Sequence, residues 1–64
     1  MATSPSTGQL VDQATSKLMK AGGSLALMVS ARRLSRSGLM EAQQLLKEAE
    51  ELLNEALEGV AQGG

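Results

Sequence analysis

The sequence contains no cysteine, no histidine and no aromatic residue, and it has a single proline. Without cysteine no disulfide can form, and without cysteine or histidine a zinc or transition-metal site lacks its usual ligands. The missing aromatic side chains exclude base-stacking platforms and aromatic cages. The core must therefore consist of Leu, Val, Met and Ala, and we expect neither a metal nor a cofactor.

Residue types suited to catalysis are equally scarce. The sequence shows no nucleophile beside a base, no phosphate-binding glycine loop and no calcium loop. The glutamates of the second half recur at positions typical of a solvated helix face. We therefore predict that the chain is not an enzyme and has no catalytic residues.

The chain has 64 residues, which limits it to one small domain. A domain of about 60 residues buries only about 60% of the surface of its unfolded chain, so such scaffolds usually need a disulfide, a metal or a partner. The longest uncharged apolar stretch, residues 21–31, is shorter than the roughly 20 residues that span a bilayer. The first residues do not resemble a signal peptide, so we expect a cytoplasmic protein with no membrane span.

The pattern predicts an all-α fold, an antiparallel two-helix hairpin that completes a helical bundle by oligomerisation or partner binding. Serine and glycine in SRSG, residues 35–38, indicate the break between the helices. The predicted parts are a disordered tail over 1–8, a hairpin over 9–60 with helices at about 9–35 and 39–59, and a flexible tail over 61–64.

Both helices carry heptad patterns typical of a coiled coil. In the second helix, one leucine and valine row, one alanine row and a further leucine row each recur every seven residues. We predict a fold-back at Ser37, which pairs Leu18 with Ala56 and places Lys17 near Glu58. The predicted helix–helix interface is Ala14, Leu18, Ala21, Leu25, Met28, Leu46, Ala49, Leu53, Ala56 and Val60.

Gly22 and Gly23 interrupt a run of good helix formers, although each interior glycine costs a helix about 1 kcal/mol relative to alanine. The apolar seam keeps its phase across them, which favours a continuous helix. In that case the missing side chains would make room for Leu52 and Leu53 or for another subunit. The alternatives are a kink or break that gives three helices, and a hinge.

Apolar residues outside this seam predict a second contact surface, made of Leu27, Leu34, Leu45 and Leu52. A hairpin alone leaves such a surface in water. Burying it requires another copy, in a dimer or tetramer, or another helical protein. Residues 1–38 hold five basic residues and one acidic residue, whereas residues 39–64 hold one basic and six acidic residues, which favours pairing of the two helices.

Arg32, Arg33 and Arg36 form the sharpest local cluster. At the end of the first helix, these cations would complement the helix dipole. They could instead contact an anionic partner, although nucleic acid is not favoured for a net-acidic chain without aromatics. The same arginines precede Ser35 in a pattern that resembles a kinase phosphorylation site.

These features favour an adaptor or structural module that self-associates or binds another protein through its heptad faces. One alternative is a small chaperone or inhibitor of a client helix, and the other is an RNA- or DNA-binding dimer that uses the arginine cluster. The architecture resembles small RNA-binding plasmid-copy-control proteins and the two-helix chaperones of secretion needles in shape alone, and shape does not determine function.

Overall fold

The computed structural model of the chain describes residues 6–63. Over this range the protein is all-helical and contains no strand. Helix α1 covers Thr7–Ala31 and helix α2 covers Arg36–Gly63, and the two pack against each other. The predicted two-helix hairpin is thereby confirmed, with helix bounds that differ from the expected ones.

Helix α1 begins with a capping box. The Gln9 backbone N–H donates to Ser6 Oγ at 3.2 Å, and the Ser6 N–H donates to Gln9 Oε1 at 3.0 Å. These two bonds satisfy donors that have no partner within the helix, so the helix starts two residues before the predicted position. Of the predicted disordered tail, residues 7–8 are helical and residues 1–5 lie outside the described residues.

Helix α1 ends at Ala31, four residues earlier than predicted, because Arg32 adopts a left-handed conformation with φ 54° and ψ 38°. The Arg33 N–H donates to the Met28 carbonyl at 2.9 Å, and the Arg32 N–H donates to that of Val29 at 3.1 Å. This is the hydrogen-bond pattern of a Schellman cap, which usually places glycine where Arg32 stands. The missing glycine explains why the helix end was not visible in the sequence.

Ser35 caps the start of the second helix. Its Oγ accepts a hydrogen bond from the Gly38 N–H at 3.0 Å, and its carbonyl accepts one from the Leu39 N–H at 3.0 Å. Helix α2 therefore starts at Arg36 instead of residue 39 and continues to Gly63 instead of ending at 59. The predicted flexible tail is helical as far as Gly63, and residue 64 lies outside the described residues.

Gly22 and Gly23 lie within an unbroken helix, so the predicted alternative of a break that gives three helices is wrong. A Cβ atom added to either glycine would meet nothing within 4 Å. The idea that these glycines make room for Leu52 and Leu53 of the same chain is therefore also wrong. Any close contact at these positions has to come from outside the chain.

The core between the helices is built almost entirely from alanine. Its buried residues are Leu10, Ala14, Ala21, Ala42, Ala49 and Ala56. At the open end of the hairpin, a Cβ atom on Gly59 would lie 2.9 Å from Thr7 Oγ1. At the turn end, a Cβ atom on Gly38 would lie 2.8 Å from Met28 Sδ. Alanines along the seam and glycines at its ends let the two backbones approach closely.

The observed pairing of the helices differs from the predicted one. Lys17 Nζ lies 2.8 Å from Glu48 Oε1, not beside Glu58, and Thr7 lies opposite Gly59. The register error follows from the position of the turn, since the chain reverses over 32–35 rather than at Ser37. Moving the turn toward the N-terminus brings each residue of α1 opposite an earlier residue of α2.

Candidate interaction surface

The structure divides the ten residues of the predicted helix–helix interface into three groups. Ala14, Ala21, Ala49 and Ala56 are buried. Leu25 and Met28 are half-buried. Leu18, Leu46, Leu53 and Val60 are exposed. The seam between the helices therefore follows the alanine row, and the larger side chains assigned to it lie at its edge.

Leu45 and Leu52, predicted on a partner surface, are instead half-buried beside the alanine row of α2. The alanine row has a leucine row on each side, and the row containing Leu45 and Leu52 is the one turned toward α1. The row of Leu46 and Leu53 lies outside the seam and is exposed. Periodicity identifies both rows, but it does not distinguish them, because both lie at similar angles to the alanines.

Leu27 and Leu34, the other residues of the predicted partner surface, are exposed. Leu34 lies in the linker between the helices. Leu27 follows Leu18 by nine residues, or half a rotation at about 100° per residue, so the two leucines point in opposite directions from α1. Leu27 is consequently an isolated exposed leucine, of a kind common on protein surfaces.

Valine and leucine side chains from both helices lie on one side of the hairpin, which we call the apolar face. This apolar face consists of Val11, Leu18 and Leu25 from α1 and of Leu39, Leu46, Leu53, Leu57 and Val60 from α2. At the open end, Val11 lines a groove with Leu53, Leu57 and Val60. At the turn end, Leu25 lines a second groove with Leu39 and Leu46.

The opposite side of the hairpin is polar and holds an ion pair between the helices. Lys17 Nζ donates to Glu48 Oε1 at 2.8 Å, and Gln44 Nε2 donates to Glu48 Oε2 at 3.1 Å. The hydrogen bond from Lys17, followed by that from Gln44 and by the charge of Lys17, lowers the pKa of Glu48. With charges on one side and leucines on the other, the whole hairpin is amphipathic.

The arginine cluster lies at the turn. Arg32 follows α1, Arg33 is in the linker and Arg36 opens α2, and all three are exposed. Arg36 also lines the groove beside Leu25 and Leu39. Among residues 6–63, none of these arginines forms a salt bridge, so the structure concentrates positive charge at the turn end.

Ser35, the predicted phosphorylation site, lies among these arginines and caps α2. Its Oγ accepts a hydrogen bond from the Gly38 N–H, and its hydroxyl donates one to Met28 Sδ at 3.9 Å. The side chain thus already has a structural role at the helix start. Its phosphorylation stays a prediction.

Within residues 6–63, no group of three or more acidic, histidine or cysteine residues is arranged to hold a metal ion. In the same part of the chain, neither helix has the length and apolar character needed to cross a bilayer. No protein-family model, no curated protein and no solved structure matches the chain. The apolar face is therefore the feature on which a functional proposal depends.

Proposed function

We propose that this protein is a non-enzymatic interaction module, an adaptor or structural element that makes protein–protein contacts through its apolar face. The observation that carries the proposal is the concentration of exposed apolar side chains on one side of both helices. Seven of the eight residues of the apolar face are between 38% and 67% exposed. Exposed apolar side chains clustered on one surface are typical of interaction sites, whereas scattered single leucines are not.

The small core supports the same conclusion. Five of the six buried apolar residues are alanines, and no large side chain is fully buried among the described residues. Burial stabilises by about 25 cal/mol per Å² of apolar surface, so alanines contribute much less than leucines would. Covering the leucines of the apolar face would add the missing burial, and contact with a partner would then stabilise the hairpin itself.

A chaperone or inhibitor would use the same surface differently. The groove between Val11 and Leu57 could receive the apolar side of a client helix, as in helix-in-groove recognition. An RNA- or DNA-binding role would depend on Arg32, Arg33 and Arg36, but a net charge of −1 and the lack of aromatics do not favour it.

The test is to make the apolar face polar at its centre with the double substitution Leu46→Gln and Leu53→Gln. We expect the wild-type protein, isolated from cells under native conditions, to have a mass in solution above that of one chain. The double variant should lose the associated protein, whether this is another copy or a different chain, and should lose helicity on circular dichroism.

Leu27→Gln is the matched control, since Leu27 is 72% exposed and lies off the apolar face. This variant should keep the mass and helicity of the wild type. If the double variant also keeps both, the apolar face makes no contacts and the proposal is wrong.

A further inference from the structure

We infer that the apolar face is covered by a second copy of this chain, with the turn of each hairpin lying over the open end of the other. This inference rests on the proposed function and names its partner. It is carried by the extent of the apolar face, by the distribution of charge along the hairpin and by the symmetry that this distribution selects.

The apolar face lies on a side of the hairpin that has the size of a stable interface. It runs from Val11 to Leu25 on α1 and from Leu39 to Val60 on α2, which is most of the length of both helices. The whole side of the hairpin that carries it, two helices about 37 Å long and about 8 Å apart, has a projected area of roughly 700 Å². Stable interfaces bury about 800 Å² on each partner, so one further hairpin of the same dimensions is sufficient to cover this face.

The apolar face is also chemically compatible with the same face of a second copy. Apart from Arg36 at the turn, these two grooves are lined by apolar side chains together with Thr7 and glutamine. The charged residues Lys47 and Glu50, which are opposite in sign, line a further groove beside Leu46 at the edge of the face. A two-fold interface brings the same patch of both subunits together, so it requires a surface without a row of like charges. Glu48, the acidic side chain of α2 that contacts Lys17, lies on the opposite side and is partly exposed to water.

Charge is distributed unevenly along the hairpin. The observed register places three arginines, Arg32, Arg33 and Arg36, at the turn end, where Glu41 is the nearest acidic residue in the sequence. At the open end, Asp12, Glu55 and Glu58 are present without a basic residue over positions 7–14 and 52–63. The hairpin is thus positive at its turn and negative at its opposite end.

This distribution selects one of two symmetric arrangements. A two-fold axis along the helices would place both positive turns at the same end of the dimer. An axis across the helices places each positive turn over the negative open end of the other copy. Like charges brought together repel and opposite charges attract, so the second arrangement is favoured.

The selected arrangement places the middle of α1 against its own copy. Leu18 is one residue from the midpoint of Thr7–Ala31, so the two Leu18 side chains would lie near the axis. Gly22 follows Leu18 by four residues on the same side of α1 and has open space around it. The missing side chain at Gly22 leaves room for the facing α1, which accounts for one glycine of the pair.

The absence of cysteine makes this arrangement directly testable. Leu18→Cys should form a disulfide-linked dimer under mild oxidation, because the two Cα atoms would come within the roughly 7 Å that a disulfide requires. Ser16→Cys is the control, because this exposed residue is at the same height on the other side of α1 and should not cross-link.

A spin label on Ser37→Cys measures the orientation of the two hairpins. We expect a label-to-label distance of about 40 Å, close to the length of a 28-residue helix. A distance below about 20 Å would place both turns at one end and would overturn the arrangement. On dilution, the dimer should also dissociate at a higher protein concentration in high salt than in low salt, because salt screens the attraction between its ends.

Sedimentation of the wild-type chain distinguishes the proposed dimer from the proposed function as an interaction module. If the chain is a folded monomer at micromolar concentration, the inference that a second copy covers the apolar face is wrong. The proposed function would then depend on a different protein bound to the apolar face. The Leu46→Gln and Leu53→Gln variant would lose that protein, and its mass in solution would fall. A wild-type monomer that also carries no other protein would overturn both proposals.

Discussion

Glycines in this chain serve different purposes according to what surrounds them. Gly38 lies where a Cβ atom would be 2.6 Å from Ser35 Oγ and 2.8 Å from Met28 Sδ, whereas Gly23 faces open space. The sequence shows two residues of the same type, one inside a helical pattern and one in the predicted break between the helices. Only the packing around each residue shows that one of them is required and the other is not.

These surroundings predict opposite effects of the same substitution. Gly23→Ala should stabilise the protein by about 1 kcal/mol, because alanine is the better helix former and nothing obstructs its methyl group. Gly38→Ala should destabilise it by about 1 kcal/mol, because the methyl group displaces the Ser35 side chain from its capping position. Urea denaturation of the two variants beside the wild type measures both effects, and equal shifts of the same sign would contradict the assignment.

At the scale of the helices, position in the heptad decides which side chains meet. The alanine row of α2 lies against α1, and the leucine rows on its two sides have different environments. The row of Leu45 and Leu52 is half-buried, whereas the row of Leu46 and Leu53 forms part of the apolar face. Each helix thus has one set of side chains that packs against the other helix and a second set that contributes to the exposed apolar face.

Ala49 is the most informative position of this seam, because it is completely buried and lies between the two helices. Ala49→Glu should destabilise the protein by about 3 kcal/mol or more, since a carboxylate would be buried there without a partner. Thermal unfolding followed by circular dichroism measures the loss. Ala26→Glu, at an exposed position of α1, is the control and should unfold near the wild-type temperature.

At the scale of the whole molecule, the Lys17–Glu48 ion pair is a polar contact that joins the two helices. Its hydrogen bonds lower the pKa of Glu48 below that of a glutamate in the unfolded chain. A lowered pKa in the folded state means that the pair stabilises the fold above the unfolded pKa. This contribution is lost as the pH falls through the lowered pKa of Glu48.

The pH dependence is measured by comparing the wild type with Glu48→Gln. At neutral pH the wild type should be the more stable of the two in urea denaturation. The difference should shrink toward zero in acid, because protonated Glu48 and glutamine are both neutral. A difference that is unchanged from neutral to acid pH would show that the pair does not contribute through charge. Both side chains are partly exposed, so solvent screens the pair and we expect a small effect.

The helix ends were predicted less well than the helices themselves. The pattern of SRSG suggested a turn centred on Ser37, but the chain leaves α1 at Arg32, where no glycine marks the left-handed residue. The capping box of Ser6 and Gln9 is a sequence signal, and it was missed because the first eight residues look like a disordered tail. Each of these errors moved a helix end, and the turn error also moved the register.

The sequence by itself determined that the chain is helical, that it has two helices and that alanine lies between them. These properties follow from heptad spacing and from the small set of apolar residues available, which are local features of the chain. Only the tertiary structure decided the register and the choice between the two leucine rows. Both depend on where the chain reverses, and the left-handed Arg32 that determines this point has no signature in its own residue type.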